Sequence, residues 1–305
     1  MNLRSIIVLL IFFGSFQSLL GQTTFDDFLK PSDTLYQKRR NAVILSETVI
    51  ASATVIGLNQ LWYANYPKSK FHFINDNADW LQMDKAGHVF SSYHLGKIGA
   101  DALNWSGVSK KNQLIYGATL GLAFLTTVEV FDGYSANWGA SFGDVIANVS
   151  GTALYVSQEF LWQEQRITPK FSFHTTKYAS LRPDVLGSTF NEQILKDYNG
   201  QTYWLSCNIH SFLKESKIPK WLNIAVGYGG EGMISGNETI PNDIFLPETG
   251  RYRQFYMSLD LDLTKIETKF HLIKTILTIF NTVKIPAPTL EIRGSRGVKL
   301  HALYF

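Results

Sequence analysis

Asp84 and His88 stand four residues apart, with Ser91 and Ser92 following within the next turn. On a helix these spacings put a carboxylate, an imidazole and a hydroxyl on one face. Such a set could work as a general base, His88 oriented by Asp84, with Ser91, Ser92 or the more distant Ser135 as nucleophile. The same imidazole, joined by further carboxylates, could instead ligate zinc or a harder cation. Those carboxylates are at hand. Glu129 and Asp132 end one apolar run, and Asp144 opens another, with Asn148 four residues on. Ser92, Tyr93, Ser135 and Asn148 are the accompanying candidate binding positions. Neither an HExxH motif nor a nucleophile elbow is present, so these residues name no particular metal or cofactor.

Each feature also has a plain structural reading. Ser141 and Asp144 fit a capping-box variant. Asp84 could cap a helix start or stabilise it by its charge, and Lys97 with Asp101 is an i,i+4 ion pair. A satisfied polar network, acid–base or ligand chemistry, and metal binding all stay open for Asp84, His88, Glu129, Asp132 and Asp144. Ionisable residues at membrane depth are functional candidates by default.

Four apolar segments position these residues: 42–63, 84–103, 113–131 and 144–162. The first, third and fourth approach the roughly 20 residues needed to cross a bilayer core. Small residues recur four apart in successive segments: Gly96 and Ala100; Gly117 and Gly121; Gly143, Ala147 and Gly151. That spacing lets helix backbones approach closely and predicts a bundle. Packing would then gather the polar groups at one end, around the 133–139 loop, with His88 within direct or one-water reach of Glu129, Asp132 or Asp144.

Beyond residue 165 the hydrophobic period changes from helical to alternating. Residues 203–209, 222–228, 254–264 and 298–304 alternate apolar with polar or small side chains, which predicts antiparallel strands with one apolar face. About four or five strands are legible, fewer than the eight of a closed membrane barrel. A helix over 270–280 falls between the last two of these strands and stops before Pro286 and Pro288. The fold class expected is α+β: a membrane-associated helical bundle over 22–165, then an antiparallel sheet or partial barrel with one inserted helix over 166–305. The chain ends on Phe305, which keeps an outer-membrane β-structure in view.

The N-terminal residues fit an export signal over 1–21. Arg4 supplies the positive region, SIIVLLIFFGSF from Ser5 the apolar run, and Gly21–Gln22 the expected cleavage point. A lipoprotein border would need a cysteine there, and the only cysteine is Cys207. Charged residues make up 17% and aromatics 14%, against a usual charged share of about a quarter, which fits a chain showing apolar surface to lipid. The net charge is only +3 and the basic residues are dispersed, so nucleic acid is set aside as a partner. Lys38, Arg39 and Arg40 precede an apolar segment and read as a membrane-flanking anchor.

The polar stretch also has a recognisable order: DKAGHVFSSYHLGK from Asp84, then TTVEVFDGYSANWGASFGDVIANVSG from Thr126. Across about 80 residues, from Asp84 to Trp162, it resembles the YfiM-like family of periplasmic or membrane proteins, a domain of unknown function, and the broader VanZ-like helical family. LRPDVLGSTFNEQILKDYNGQTYWLS, from Leu181, is similar to longer YfiM-like members. The resemblance implies a cell-envelope setting, outer-membrane or periplasm-facing, and brings no established activity. The function expected is a structural or lipid- or partner-binding envelope protein. The alternative is a membrane-embedded, metal-assisted enzyme acting on a lipid, polyprenyl or glycan-linked substrate.

Overall fold

A computed structural model describes residues 25–60, 67–237 and 250–305. The export signal over 1–21 and the end of the first apolar segment, 61–63, lie outside the described residues. The main helices of the first half are α1 (Phe25–Leu29), α2 (Gln37–Leu58), α3 (Met83–Trp105), α4 (Leu120–Gly133) and α5 (Phe142–Leu161). A turn of π-helix, Gln113–Gly117, leads into α4. Two short strands, β1 (Phe73–Ile74) and β2 (Ala140–Ser141), pair in parallel and tie the segment before α3 to the start of α5.

Small residues decide the helix packing, as their spacing predicts. A methyl group on Gly121 would lie 2.3 Å from the Ser92 carbonyl oxygen, and one on Gly151 would lie 2.2 Å from that of Val89. Gly117 is as close to Gly99 and Ala100. Backbones this near bring both α4 and α5 against α3, which becomes the central helix. Tyr93, fully buried, meets the ring of Tyr155 at 5.6 Å across the same contact. Gly143 is different: it faces Asn77 and the Lys85 side chain rather than another helix backbone.

The second half is a six-stranded antiparallel meander of β3 (Ile167–Phe173), β4 (Gln201–Asn208), β5 (Leu222–Glu231), β6 (Tyr252–Leu261), β7 (Ala287–Ile292) and β8 (Val298–Tyr304). Two of these strands, β3 and β7, were not legible in the sequence. β3 carries Pro169 and Lys170 in its middle, and β7 follows Pro286 and contains Pro288. Helix α6 (His271–Phe280) therefore lies between β6 and β7, not between the last two strands. The meander curls until the residues before β7 meet β3, where Phe171 N–H donates to the Thr282 carbonyl and Lys284 N–H to that of Phe171, both at 2.9 Å. Tyr304 of β8 likewise reaches Thr202 of β4 and Tyr256 of β6.

The strands alternate as expected, but their polarity is inverted. On β4, β5 and β6, Leu205, Ile224, Val226, Phe255, Met257 and Leu259 are exposed. The intervening Ser206, Asn223, Ala225, Ser258 and Asp260 are buried. Inside the curl Lys170 and Asp260 form an ion pair at 2.8 Å with neither side chain exposed at all. Asp260 also accepts from Ser206 Oγ at 2.6 Å and from the Ile285 N–H at 3.1 Å, so the buried charge is well solvated by the protein itself.

Candidate functional site

Helix α3 begins after an unusual turn. Trp80, Leu81 and Gln82 have φ of 48°, 52° and 68°, three successive non-glycine residues in the left-handed region. The turn is pinned by Trp80 N–H donating to the Gly236 carbonyl at 2.6 Å and by the Tyr228 hydroxyl donating to the Leu81 carbonyl. Asp84, Lys85 and His88 then sit in the first two turns of α3. Asp84 makes no side-chain cap of α3, although its charge lies in the first turn, where the helix dipole favours it. Helix α5 starts at Ser141, whose side chain accepts from Asp144 N–H at 3.3 Å, the expected cap. The β1–β2 pairing brings Asp76, just beyond β1, to this point, and Ser141 Oγ donates to Asp76 Oδ1 at 2.6 Å.

The Lys85 ammonium is the centre of the cluster. It lies 2.7 Å from Asp76 Oδ2, 2.8 Å from Asp144 Oδ1 and 3.1 Å from Asp84 Oδ2. Hydrogen-bond geometry to Asp144 is met at Oδ2 (2.9 Å), while Oδ1 has only the charge contact. Next to it, His88 Nδ1 meets Asn148 Oδ1 at 2.9 Å. Its Nε2 faces three carboxylates: Asp144 Oδ1 at 3.6 Å, Asp84 Oδ1 at 3.7 Å and Glu129 Oε1 at 3.8 Å. Glu129 Oε2 accepts the Ser141 N–H at 3.0 Å. Tyr198, from the far side of β3, donates its hydroxyl to Asp84 Oδ1 at 3.1 Å.

The electrostatics follow from this crowding. Burial opposes a charge on His88, but Asp84, Asp144, the Asn148 contact and Glu129 outweigh it, so its pKa is raised. With Nδ1–H directed at the Asn148 carbonyl oxygen, protonation lets Nε2 present a second N–H to the carboxylates. Burial, with Asp84 adding to it, pushes the Asp144 carboxyl up to about 6 despite His88 and Lys85. Asp76 moves the other way: burial works against its charge, but the bonds from Lys85 and Ser141 hold it below the usual carboxylate range.

Of the expected site residues, Asp84, His88, Glu129, Asp144 and Asn148 converge. Asp132 lies one turn beyond Glu129 on α4, where its carbonyl accepts the Ser135 N–H. Ser92 is fully buried between α3 and its neighbours and bonds the Val89 carbonyl, so it is a packing residue. Tyr93 turns to Gln165 at 2.9 Å, and Ser135 accepts the Asn137 N–H in its own loop. None of Ser91, Ser92 and Ser135 is hydrogen-bonded to His88, whose ring nitrogens meet Asn148 and the carboxylates instead. Sequence reasoning passed over Asp76, Lys85, Ser141 as a ligand of Asp76, and Tyr198. Lys85 carried a readable signal, since it precedes His88 by three and shares its face. Asp84, His88 and Asp144 each offer a ligand atom within 4.8 Å of the others, the spacing a metal ion would use. Lys85 competes for the same carboxylates.

Residues 72–158 match a family model described as a predicted periplasmic lipoprotein, DUF2279. The match spans every member of the cluster except Tyr198, and supports export and an envelope location for a protein of unknown activity. No curated protein and no solved structure matches the chain.

Proposed function

We propose that this is a lipid-associated cell-envelope protein whose buried cluster clasps the helices together and whose partner is the membrane itself. Helix α2 carries the reading: it is 22 residues long and apolar, and Val43 alone is buried along it. A helix of that kind has no packing energy of its own in water, where stability comes from an apolar face laid on a core. Helix α5 also carries exposed apolar side chains, Phe142, Ile146 and Phe160. Lys85 supports the structural role for the cluster, because three carboxylates already satisfy it. A YfiM-like or VanZ-like relationship, and the division at residue 165, belong to the same proposal. The test is flotation of the full chain with phosphatidylethanolamine–phosphatidylglycerol vesicles, followed by alkaline carbonate. Flotation that survives carbonate is expected; protein left in the aqueous fraction overturns the reading.

A second reading, a metal-assisted enzyme acting on a lipid, polyprenyl or glycan-linked substrate, rests on the three ligand atoms of Asp84, His88 and Asp144. Metal analysis of the purified protein separates the two. Stoichiometric zinc or another divalent ion that survives dialysis favours the second reading.

A further inference from the structure

We infer that the outer face of β5 to β8 lies against the acyl chains of the bilayer, making the sheet a lipid-contacting surface. The inference rests on the membrane reading above and goes beyond it, since that reading is carried by helix α2.

Register makes the outer face continuous. Leu205, Val226, Met257, Leu290 and Leu300 are direct neighbours across five strands. Phe255, Ile292 and Val298 form the next row, and all eight of these side chains are exposed. A sheet in water turns such a face to its core and its polar face to solvent. Here Lys170, Asp260, Asn223 and Glu291 are buried instead. Among the described residues, no core lies on the apolar side of β5 to β8 to account for the inversion. An apolar medium outside does account for it, since strands bordering lipid alternate apolar-out and polar-in.

The dimensions and edges agree. On β5 the outward apolar residues run from Leu222 through Ile224 and Val226 to Tyr228, six steps of roughly 3.3 Å, or ~20 Å, with the exposed Trp221 just before the strand. That is close to the ~25 Å apolar band of membrane strands, and aromatic residues flank that band in the same way. Charges begin beyond both ends: Lys220 pairs with Glu267 on one side, and Arg253 bonds the Tyr228 hydroxyl on the other. The same face continues under the helices, where Phe90 of α3 meets the rings of Phe171 and Tyr203, each at 5.8 Å. Sheet and bundle thus share one apolar surface, covered by α3 at Phe171 and Tyr203 and uncovered from Leu205 onward.

The experiment attaches a nitrobenzoxadiazole probe to single cysteines in a Cys207→Ser background of the full chain. The positions are Val226→Cys and Met257→Cys on the sheet, Ile50→Cys on α2 and Glu267→Cys beyond the sheet's end. The proteins are reconstituted in phosphatidylethanolamine–phosphatidylglycerol vesicles with and without brominated acyl chains. The expected result is at least threefold stronger quenching at Val226 and Met257 than at Glu267. Quenching at Ile50 but not on the sheet overturns this inference and leaves the membrane reading standing. Loss at Ile50 as well, with no flotation, overturns both. Sheet probes shielded from brominated lipid and from aqueous iodide alike mean that a second copy or another protein covers the face, and also overturn it. If labelling disturbs folding, unlabelled Met257→Arg and Met257→Leu decide: only the arginine should lower the vesicle-bound fraction, and equal binding by both counts against the proposal.

Discussion

Lys85 Nζ lies 2.8 Å from Asp144 Oδ1, an ion pair that joins α3 to α5 across 59 positions of sequence. Both side chains are largely buried, so removing one partner leaves a charge without compensation. Lys85→Met is expected to cost about 3–5 kcal/mol, and adding Asp144→Asn should recover part of that. Urea unfolding in detergent micelles gives all four corners of the cycle. Additive losses would show that the two side chains do not depend on each other.

The same vacancy should accept a cation. Lys85→Ala keeps Asp76, Asp84 and Asp144 together without the ammonium that now separates them. Millimolar calcium or zinc should therefore raise the melting temperature of Lys85→Ala by several degrees more than that of the wild type, through preferential binding to the folded state. Equal shifts in the two proteins would mean that the lysine does not hold the cation position.

Proton linkage has a definite sign. His88 and Asp144 both bind their protons more tightly when folded, so their contribution is complete at low pH and is lost as pH rises. Asp144 covers the window from its ordinary 3.8 to about 6. His88 takes over from 6.5 upward, through its raised folded value. In EDTA, the unfolding midpoint should fall between pH 4 and pH 8. Asp144→Asn should flatten the lower part of that curve and His88→Gln the upper part. A midpoint that climbs over this range would contradict the geometry.

Gly151→Ala and Gly57→Ala are a matched pair of substitutions in helices. At Gly151 the new methyl would sit 2.1 Å from Ser92 Oγ and 2.2 Å from the Val89 carbonyl oxygen, while at Gly57 nothing lies within 4 Å. Overpacking at the first should cost about 1–3 kcal/mol. The second should leave stability unchanged or slightly raised. Folded yield and thermal midpoint report both.

Much of the architecture was legible because it depends on periodicity. The small-residue spacing found the α3 contacts, and alternation found β4, β5, β6 and β8. The inner side of the sheet was not legible, since alternation gives the apolar face without saying which side meets the core. The site divided in the same way. Asp84, His88, Asp144 and Asn148 follow from i,i+4 spacing on two helices, and Glu129 from its place at the end of a third. Asp76 reaches the cluster only because β1 and β2 pair, and Tyr198 only because the chain returns after β3. Those are long-range contacts, and local pattern holds no trace of them. Ser92 misled for the opposite reason, since it has the right spacing but lies where α4 and α5 press closest on α3.

Tyr198 donates to Asp84 across 114 positions, and the Tyr228 hydroxyl reaches Leu81 across 147. These two bonds are expected to fix the start of α3 late in folding, because contacts of such high sequence separation carry a large loop-closure cost. A nascent chain that has made only the bundle carries Asp84 without its phenol and the left-handed turn at Trp80–Gln82 without its pin. The order of synthesis therefore separates the clasp from its closure: the helices come first and the sheet locks them. A chain stopped before residue 198 is expected to keep α3 to α5 yet expose the beginning of α3 to proteases.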